Sequence, residues 1–241
     1  MPTASHPPPT APRLGGVINA VVFDVGEVLV DETREYGTWA DWLGVPRHTF
    51  SALFGATIAL GRDYRETFQV FRPGFDLAAE REARAAAGQP ETFGEEDLYP
   101  DVRPCLSALR ELGVRVGAAG NQTSRAESIL RDLRLPVDWI GTSAGWGVEK
   151  PTRGFFERAV RESGVDASEV LYVGDRLDND IRPALDAGLQ TVLLRRGPWG
   201  LVLEDAASEK RCLAVLDGLS ELPAVVADHN RTARAAQAAP R

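Results

Sequence analysis

The chain has 241 residues, of which 44% are hydrophobic, and its formal net charge is -8 at pH 7. This length allows one α/β domain with an inserted subdomain, and the hydrophobic fraction is typical of a globular protein with a buried core. The acidic balance argues against binding to nucleic acid or anionic lipid, and no apolar stretch approaches the about 20 residues of a membrane helix.

The chain ends and the cysteines predict a cytoplasmic protein. Residues 1–16 are rich in Pro, Ala, Ser and Thr and lack the apolar region of a secretory signal, which predicts a disordered leader. Residues 228–241 are rich in Ala and Arg without a clear amphipathic period, which predicts a flexible tail. Cys105 and Cys212 lie far apart in unlike contexts and are expected to be reduced thiols.

Between these ends, apolar runs alternate with helical patterns. Predicted strands, each ending in a turn or polar residue, cover 17–24, 114–121, 137–143, 169–175 and 189–196. Predicted helices cover 103–112, 124–133, 153–163 and 181–187. This alternation predicts an α/β fold, a Rossmann-like parallel sheet flanked by helices, built from residues 17–31 and 100–227.

Residues 32–99 interrupt the alternation with helical patterns and no convincing strand. The patterns cover 38–44, 48–60 and 75–88, and Gly44 and Gly88 stand where helices would stop. An insert of roughly 65 residues is too long for a loop. We therefore predict an all-helical cap subdomain over the carboxyl ends of the strands, where open α/β sheets bind ligands.

Acidic residues collect at the predicted carboxyl edge of the sheet. Asp24 ends the first strand, Asp175 ends the fourth, and Asp180 follows shortly after. Lys150 precedes the helix predicted at 153–163. Each residue alone is compatible with a helix cap, a turn or a solvated loop. Carboxylates gathered at one edge repel each other unless a cation neutralises them, and Mg²⁺ is a natural oxygen-preferring choice. The lysine would then balance charge or bind an anion.

The order of these residues along the chain resembles a known family. The segments VVFDVGEVLV, VGAAGNQTS, GVEKPTRGFF and VLYVGDRLDND resemble, in order, the four motifs of the haloacid dehalogenase (HAD) superfamily. The resemblance covers about residues 17–200, and the third and fourth segments are its most specific part. The helical insert after the first motif resembles the C1 type of HAD cap.

This resemblance implies a Mg²⁺-dependent phosphatase acting on a small phosphorylated metabolite. For the assembly, we expect a monomer or homodimer. Asp24 would attack phosphorus and form an aspartyl-phosphate that water hydrolyses. Asp24, Asp175 and the backbone carbonyl of Gly26 would bind Mg²⁺. Asp180 would orient metal-bound water or Lys150, and Lys150 would neutralise the nucleophile and the transferring phosphoryl group.

The sequence departs from the family pattern in its first motif. Family phosphatases usually carry a second Asp two residues after the nucleophile, which protonates the leaving oxygen and later activates water. Here that position is Gly26. Glu27 is the nearest substitute, but a shift of one residue along an extended chain turns its side chain elsewhere. The alternative for Glu27 is a surface or hinge residue.

A second departure affects phosphate binding. The second motif normally ends in Ser or Thr, and the aligned residue is Gly120, whose backbone N–H remains. Asn121 and Thr123 could supply a side-chain donor to phosphate. Alternatively, this loop only forms a turn and the N-cap of the next helix, which opens near Ser124.

Residues in the insert are expected to choose the substrate. Arg34, just after the first motif, could bind an anionic substrate, and Tyr36, Tyr64, Arg65 and Arg72 are further candidates. The alternative for each is ordinary surface solvation.

Other functions are compatible with the same fold. A haloacid dehalogenase-like hydrolase needs neither a metal nor an acid at Gly26, although Asp175 and Asp180 preserve a metal site. Cleavage of a phosphonate would require a lysine in the cap, and residues 32–99 contain none. A catalytically degenerate binding or regulatory protein is the third alternative, because of the glycines at positions 26 and 120.

Overall fold

Short apolar segments form the centre of the molecule in the computed structural model, which describes residues 16–238. Within these residues, six strands form one sheet in the order β3-β2-β1-β4-β5-β6, and each neighbouring pair is parallel. The strands are β1 Ala20–Phe23, β2 Arg115–Gly120, β3 Trp139–Thr142, β4 Val170–Gly174, β5 Gln190–Leu194 and β6 Ala214–Leu216. The predicted α/β fold class is confirmed, and β6 is the strand that the sequence pattern did not reveal.

Helices cover both faces of the sheet. Those that follow the insert are α5 Val102–Glu111, α6 Ser124–Asp132, α7 Ser143–Trp146, α8 Arg153–Ser163, α9 Arg182–Asp186, α10 Gly197–Val202, α11 Ala206–Glu209 and α12 Leu222–Ala238. Alternate residues of β1 point to opposite faces of the sheet. Val21 and Phe23 belong to the apolar cluster with α5 and α12. Ala20 and Val22 belong to the cluster with α8. All of β1 is therefore buried, as expected for a central parallel strand.

The insert contains four helices between residues 33 and 86: α1 Thr33–Leu43, α2 Arg47–Ala59, α3 Glu66–Phe71 and α4 Leu77–Ala86. Their apolar side chains form an aromatic cluster around Trp39, Phe50 and Phe68. Trp199 of α10 joins this cluster and meets Phe54 edge to face, with 5.3 Å between the ring centroids. The division into a core (17–31 and 100–227) and a cap (32–99) stays a prediction.

The structure corrects the prediction of a flexible tail from residue 228. Helix α12 continues to Ala238 with His229 and Asn230 buried. The Asn230 side chain accepts a hydrogen bond from the Ile18 N–H at 2.7 Å and donates one to the Ile18 carbonyl at 2.8 Å. These partners are distant in sequence, so no local pattern could reveal them. The predicted leader lies outside the described residues except for Gly16.

Among the helices between residues 16 and 238, none has the length and apolar character needed to span a membrane.

Candidate active site

The parallel register brings the predicted acidic residues together. Asp24 follows β1 and Asp175 follows the neighbouring strand β4, and the Asp24 N–H donates to the Val173 carbonyl at 2.9 Å. Asp180 lies in a π-helical turn, Leu177–Ile181, a distortion that is frequent at functional sites. Asp24, Asp175 and Asp180 each offer a carboxylate oxygen within 4.8 Å of the others. All three are buried.

Lys150 lies between two of these carboxylates. Its Nζ atom is 2.7 Å from Oδ1 of Asp24 and 2.7 Å from Oδ1 of Asp180. The second oxygen of Asp180 accepts a hydrogen bond from the Arg176 N–H at 3.0 Å. Asp180 is therefore held by the chain on both oxygens, which places it to orient the lysine.

Asn121 holds the backbone of Lys150. Its Oδ1 atom accepts from the Lys150 N–H at 2.8 Å, and its Nδ2 atom donates to the Lys150 carbonyl at 2.9 Å. The side chain that could have bound phosphate is thus engaged in positioning the lysine. In the same loop, Thr123 accepts from the Ala126 N–H at 3.0 Å and caps α6, which is the structural alternative considered for this segment.

The charge of the cluster is unbalanced, because three carboxylates face one ammonium group. Burial, together with Asp180 and Asp24, raises the pKa of Asp175 well above its usual range. Burial also raises the pKa of Asp180 to about 6, although Lys150 acts in the opposite direction. Burial opposes the charge of Lys150, but Asp180 and Asp24 hold its pKa well above its usual value.

The donor set fits a divalent cation. Within the described residues, the buried Oδ2 atom of Asp175 has no hydrogen-bond partner, and such an atom normally has one. A hard cation bound by Asp24 and Asp175 would satisfy this oxygen and balance the charge that Lys150 leaves uncompensated. The contribution of the Gly26 carbonyl stays a prediction.

Gly120 stands close to the nucleophile position. A Cβ atom added at Gly120 would lie 2.6 Å from Oδ1 of Asp24, which is closer than non-bonded atoms approach. The glycine therefore leaves room for the observed position of the Asp24 carboxylate. A side chain at Gly120 and this position of Asp24 are mutually exclusive.

Arg34 is already paired with carboxylates. Its guanidinium contacts Asp97 and lies 3.0 Å from Oε1 of Glu96. The side chain lines a small cavity next to Gly26, but its charge is compensated there. The structure thus gives Arg34 a structural ion pair, and the predicted anion-binding role has no support from its contacts.

Glu27 is tied to the core. Its carboxylate accepts a hydrogen bond from the Tyr99 hydroxyl at 2.7 Å, and its backbone has a φ of 55°, in the left-handed region. Burial raises its pKa, with an opposing effect from Tyr99. The nearest acid in sequence is therefore engaged elsewhere.

Glu32, which the sequence did not single out, stands beside Gly26. A Cβ atom at Gly26 would lie 2.5 Å from Oε1 of Glu32 and 3.2 Å from its Oε2. Burial and the charges of Glu27 and Asp24 raise the pKa of Glu32 well above its usual range. No local pattern predicts this contact, because it depends on how the loop after β1 turns back.

A cleft of about 1070 Å³ opens between the insert and the sheet edge. Lys150, Asn121 and Arg176 line it from the core. Predicted substrate-selecting residues line it from the insert: Tyr36, Tyr64 and Arg65. Arg72 instead pairs with Glu80 at 2.8 Å. Lys150 is the member of the charged cluster that lines the cleft, and the insert contributes aromatic, basic and acidic side chains to it.

A parallel sheet with a helical insert after β1, and an aspartate–lysine cluster at its carboxyl edge, defines the HAD class of hydrolases. A family model described as haloacid dehalogenase-like hydrolase matches residues 18–188. The chain belongs to this family.

Several relatives carry the name glyceraldehyde 3-phosphate phosphatase. The protein from Methanopyrus kandleri is 43% identical over 132 residues, which are 53% of this chain and 57% of the relative. The protein from Pyrococcus abyssi is 30% identical over 203 residues, which are 75% of this chain and 83% of the relative. The chain thus spans little more than half of the first relative and most of the second.

A solved L-2-haloacid dehalogenase from Xanthobacter autotrophicus shares the fold. Its TM-score is 0.59 at 17% identity, over 87% of this chain and 98% of that one. Similarity at this level concerns the fold and not the reaction.

Proposed function

We propose that this protein is a Mg²⁺-dependent phosphatase that acts on a small phosphorylated metabolite through an aspartyl-phosphate on Asp24. The observation that carries the proposal is the buried charged cluster. In it, Lys150 Nζ lies 2.7 Å from Asp24 Oδ1, and Oδ2 of Asp175 has no hydrogen-bond partner within the described residues. A phosphoryl group brings several negative oxygens, and such a site offers positive charge in a place from which water is largely excluded.

Each residue of the cluster has its own role in this reaction. Asp24 attacks phosphorus in line with the leaving oxygen, and the bond from phosphorus to that oxygen breaks. Lys150 neutralises charge on Asp24 and on the phosphoryl oxygens, while Asp180 and Asn121 keep the lysine in place. When bound to Asp24 and Asp175, Mg²⁺ would supply further charge neutralisation at the phosphoryl group.

Two considerations favour a phosphatase over a dehalogenase. The relatives with 43% and 30% sequence identity are named phosphatases, whereas the dehalogenase is related at 17%. In addition, three buried carboxylates with one lysine leave net negative charge that a metal-free dehalogenase site would not tolerate easily. Glyceraldehyde 3-phosphate is the first metabolite to test, because several relatives are named for it.

The test is hydrolysis of p-nitrophenyl phosphate by the purified protein, with Mg²⁺ and after removal of metal with a chelator. We expect turnover that needs Mg²⁺ and falls at least about 1000-fold in Asp24→Asn. Asp132→Asn is the matched control, because Asp132 is an exposed residue at the end of α6. Absence of turnover in a folded wild-type protein, or equal activity of Asp24→Asn, would contradict the proposal, and haloacids would be tested next.

A further inference from the structure

The space next to Gly26 is filled by a carboxyl group from elsewhere in the chain. An added Cβ atom at Gly26 would lie 2.5 Å from Oε1 and 2.8 Å from Cδ of Glu32. The Glu32 carboxyl group thus occupies the volume into which a side chain at position 26 would extend. Position 26 is where the family pattern has its acid, so an acid from elsewhere in the chain stands beside that position.

The loop after β1 creates this placement. The Leu29 and Val30 N–H groups both donate to the Val25 carbonyl at 2.9 Å, and the Glu27 N–H donates to the Val30 carbonyl at 2.7 Å. These bonds fold residues 25–30 into a tight turn that returns the chain towards Gly26. The start of α1 then fixes the backbone of Glu32, whose carbonyl accepts from the Tyr36 N–H at 3.0 Å.

Glu32 differs from Glu27, Glu35 and Glu91 because its carboxylate has no side-chain partner among the described residues. Glu27 accepts from Tyr99, Glu35 pairs with Arg84 at 3.3 Å, and Glu91 accepts from Thr123. Within residues 16–238, the Glu32 carboxylate makes no hydrogen bond or ion pair with another side chain. Its oxygens are not among the buried atoms left without a partner, so the carboxyl group is accessible.

Glu32 also reaches the substrate space. It lines the small cavity beside Gly26 and the large cleft that contains Lys150. A carboxyl group close to the reacting oxygen can transfer a proton to or from that oxygen. The position beside Gly26 together with access to the cleft therefore points to Glu32.

We propose that Glu32 is the general acid and base of the reaction, in place of the residue that Gly26 lacks; this inference rests on the proposed phosphatase function. As Asp24 bonds to phosphorus, the electron pair of the breaking P–O bond goes to the leaving oxygen, and the Glu32 carboxylic acid protonates that oxygen to give the alcohol. The Glu32 carboxylate then accepts a proton from water, whose oxygen attacks phosphorus. The Asp24–phosphorus bond breaks, which releases phosphate and restores both carboxyl groups.

The test compares leaving groups in Glu32→Gln. Loss of a general acid matters most when the leaving oxygen is strongly basic, so kcat/KM for glyceraldehyde 3-phosphate should fall about 100-fold to 1000-fold. For p-nitrophenyl phosphate, whose leaving group needs little protonation, kcat/KM should fall less than about tenfold. Because the same residue activates water, p-nitrophenol should appear in a burst near one equivalent of enzyme, followed by slow turnover.

Glu27→Gln is the matched control, since it makes the same chemical change at the other candidate acid. We expect it to show no difference in loss between the two substrates and no burst. A second variant tests the position directly. In Gly26→Asp combined with Glu32→Ala, kcat/KM for glyceraldehyde 3-phosphate should be at least tenfold higher than in Glu32→Ala alone.

Equal losses of Glu32→Gln on both substrates without a burst would overturn the role of Glu32, as would selective loss in Glu27→Gln. A double variant no more active than Glu32→Ala would also count against it. Failure of the phosphatase function itself is distinguished by the wild-type protein, which would then turn over neither substrate.

Discussion

Replacing Asn121 with alanine removes both hydrogen bonds that fix the backbone of Lys150. Each bond contributes about 0.5–1.5 kcal/mol to stability, and Asn121 is exposed to the cleft, so water replaces part of the loss. We therefore expect a loss of about 1–2 kcal/mol in the free energy of unfolding. For a chain of this size, that corresponds to a Tm lower by roughly 2–8 °C.

The same change should impair catalysis, because the lysine ammonium is held 2.7 Å from Asp24 by a backbone that Asn121 anchors. A displacement of about 1 Å costs up to about 100-fold in rate, so we expect kcat to fall about tenfold to 100-fold.

The assay combines thermal unfolding of the ligand-free protein with steady-state kinetics on p-nitrophenyl phosphate. Gln122→Ala, in the same loop, is the control for stability. A wild-type Tm and kcat in Asn121→Ala, with a higher KM and a higher inhibition constant of inorganic phosphate, would contradict this role. Asn121 would then be a phosphate ligand and not an anchor for Lys150.

Other predictions concern the metal site, the pH and α12. Mg²⁺ should raise the Tm of the wild-type protein but not of Asp175→Asn; an equal rise in both would place the ion elsewhere. Because the folded-state pKa of Asp180 is raised to about 6, the metal-free protein should lose stability as the pH rises from about 4 through about 6. Thermal unfolding in chelator should show this fall in Tm. The fall should be smaller in Asp175→Asn, because the carboxyl group that this variant removes also has a raised pKa. A Tm that rises over this pH range would contradict the prediction. Finally, Asn230→Ala should cost about 2–4 kcal/mol in urea unfolding, because it leaves both polar groups of Ile18 unsatisfied, whereas the exposed Arg231→Ala should cost less than about 0.5 kcal/mol.

The sheet could be predicted because buried parallel strands are continuous apolar runs, and all five predicted runs contain a strand. Strand β6 was not predicted because it is only three residues long, which is too short for a recognisable run of apolar residues. Helix α12 escaped because its role depends on hydrogen bonds to Ile18, a partner at the other end of the chain.

The charged cluster was predictable for a different reason. Parallel strands end at one edge, so Asp24 and Asp175 had to converge, and the structure places Lys150 and Asp180 with them. Their catalytic and metal-binding roles stay predictions.

Partners of individual side chains could not be predicted. Asn121 engages Lys150, Arg34 engages Asp97, and Glu32 fills the space beside Gly26. Each outcome depends on side-chain direction and on the course of a loop, and neither is encoded in a spacing along the sequence. Glu27 illustrates the same limit, because adjacency to Gly26 in sequence did not place its carboxylate in the cleft.

Identification of the phosphorylated residue would test the role of Asp24 as the nucleophile. The wild-type enzyme would be mixed with Mg²⁺ and substrate and quenched in acid during turnover, and its peptides would be examined by mass spectrometry. We predict one added phosphoryl group on the peptide that contains Asp24, and none in Asp24→Asn. Active turnover without that adduct, or with the phosphoryl group on another residue, would contradict the assignment of Asp24 as the nucleophile.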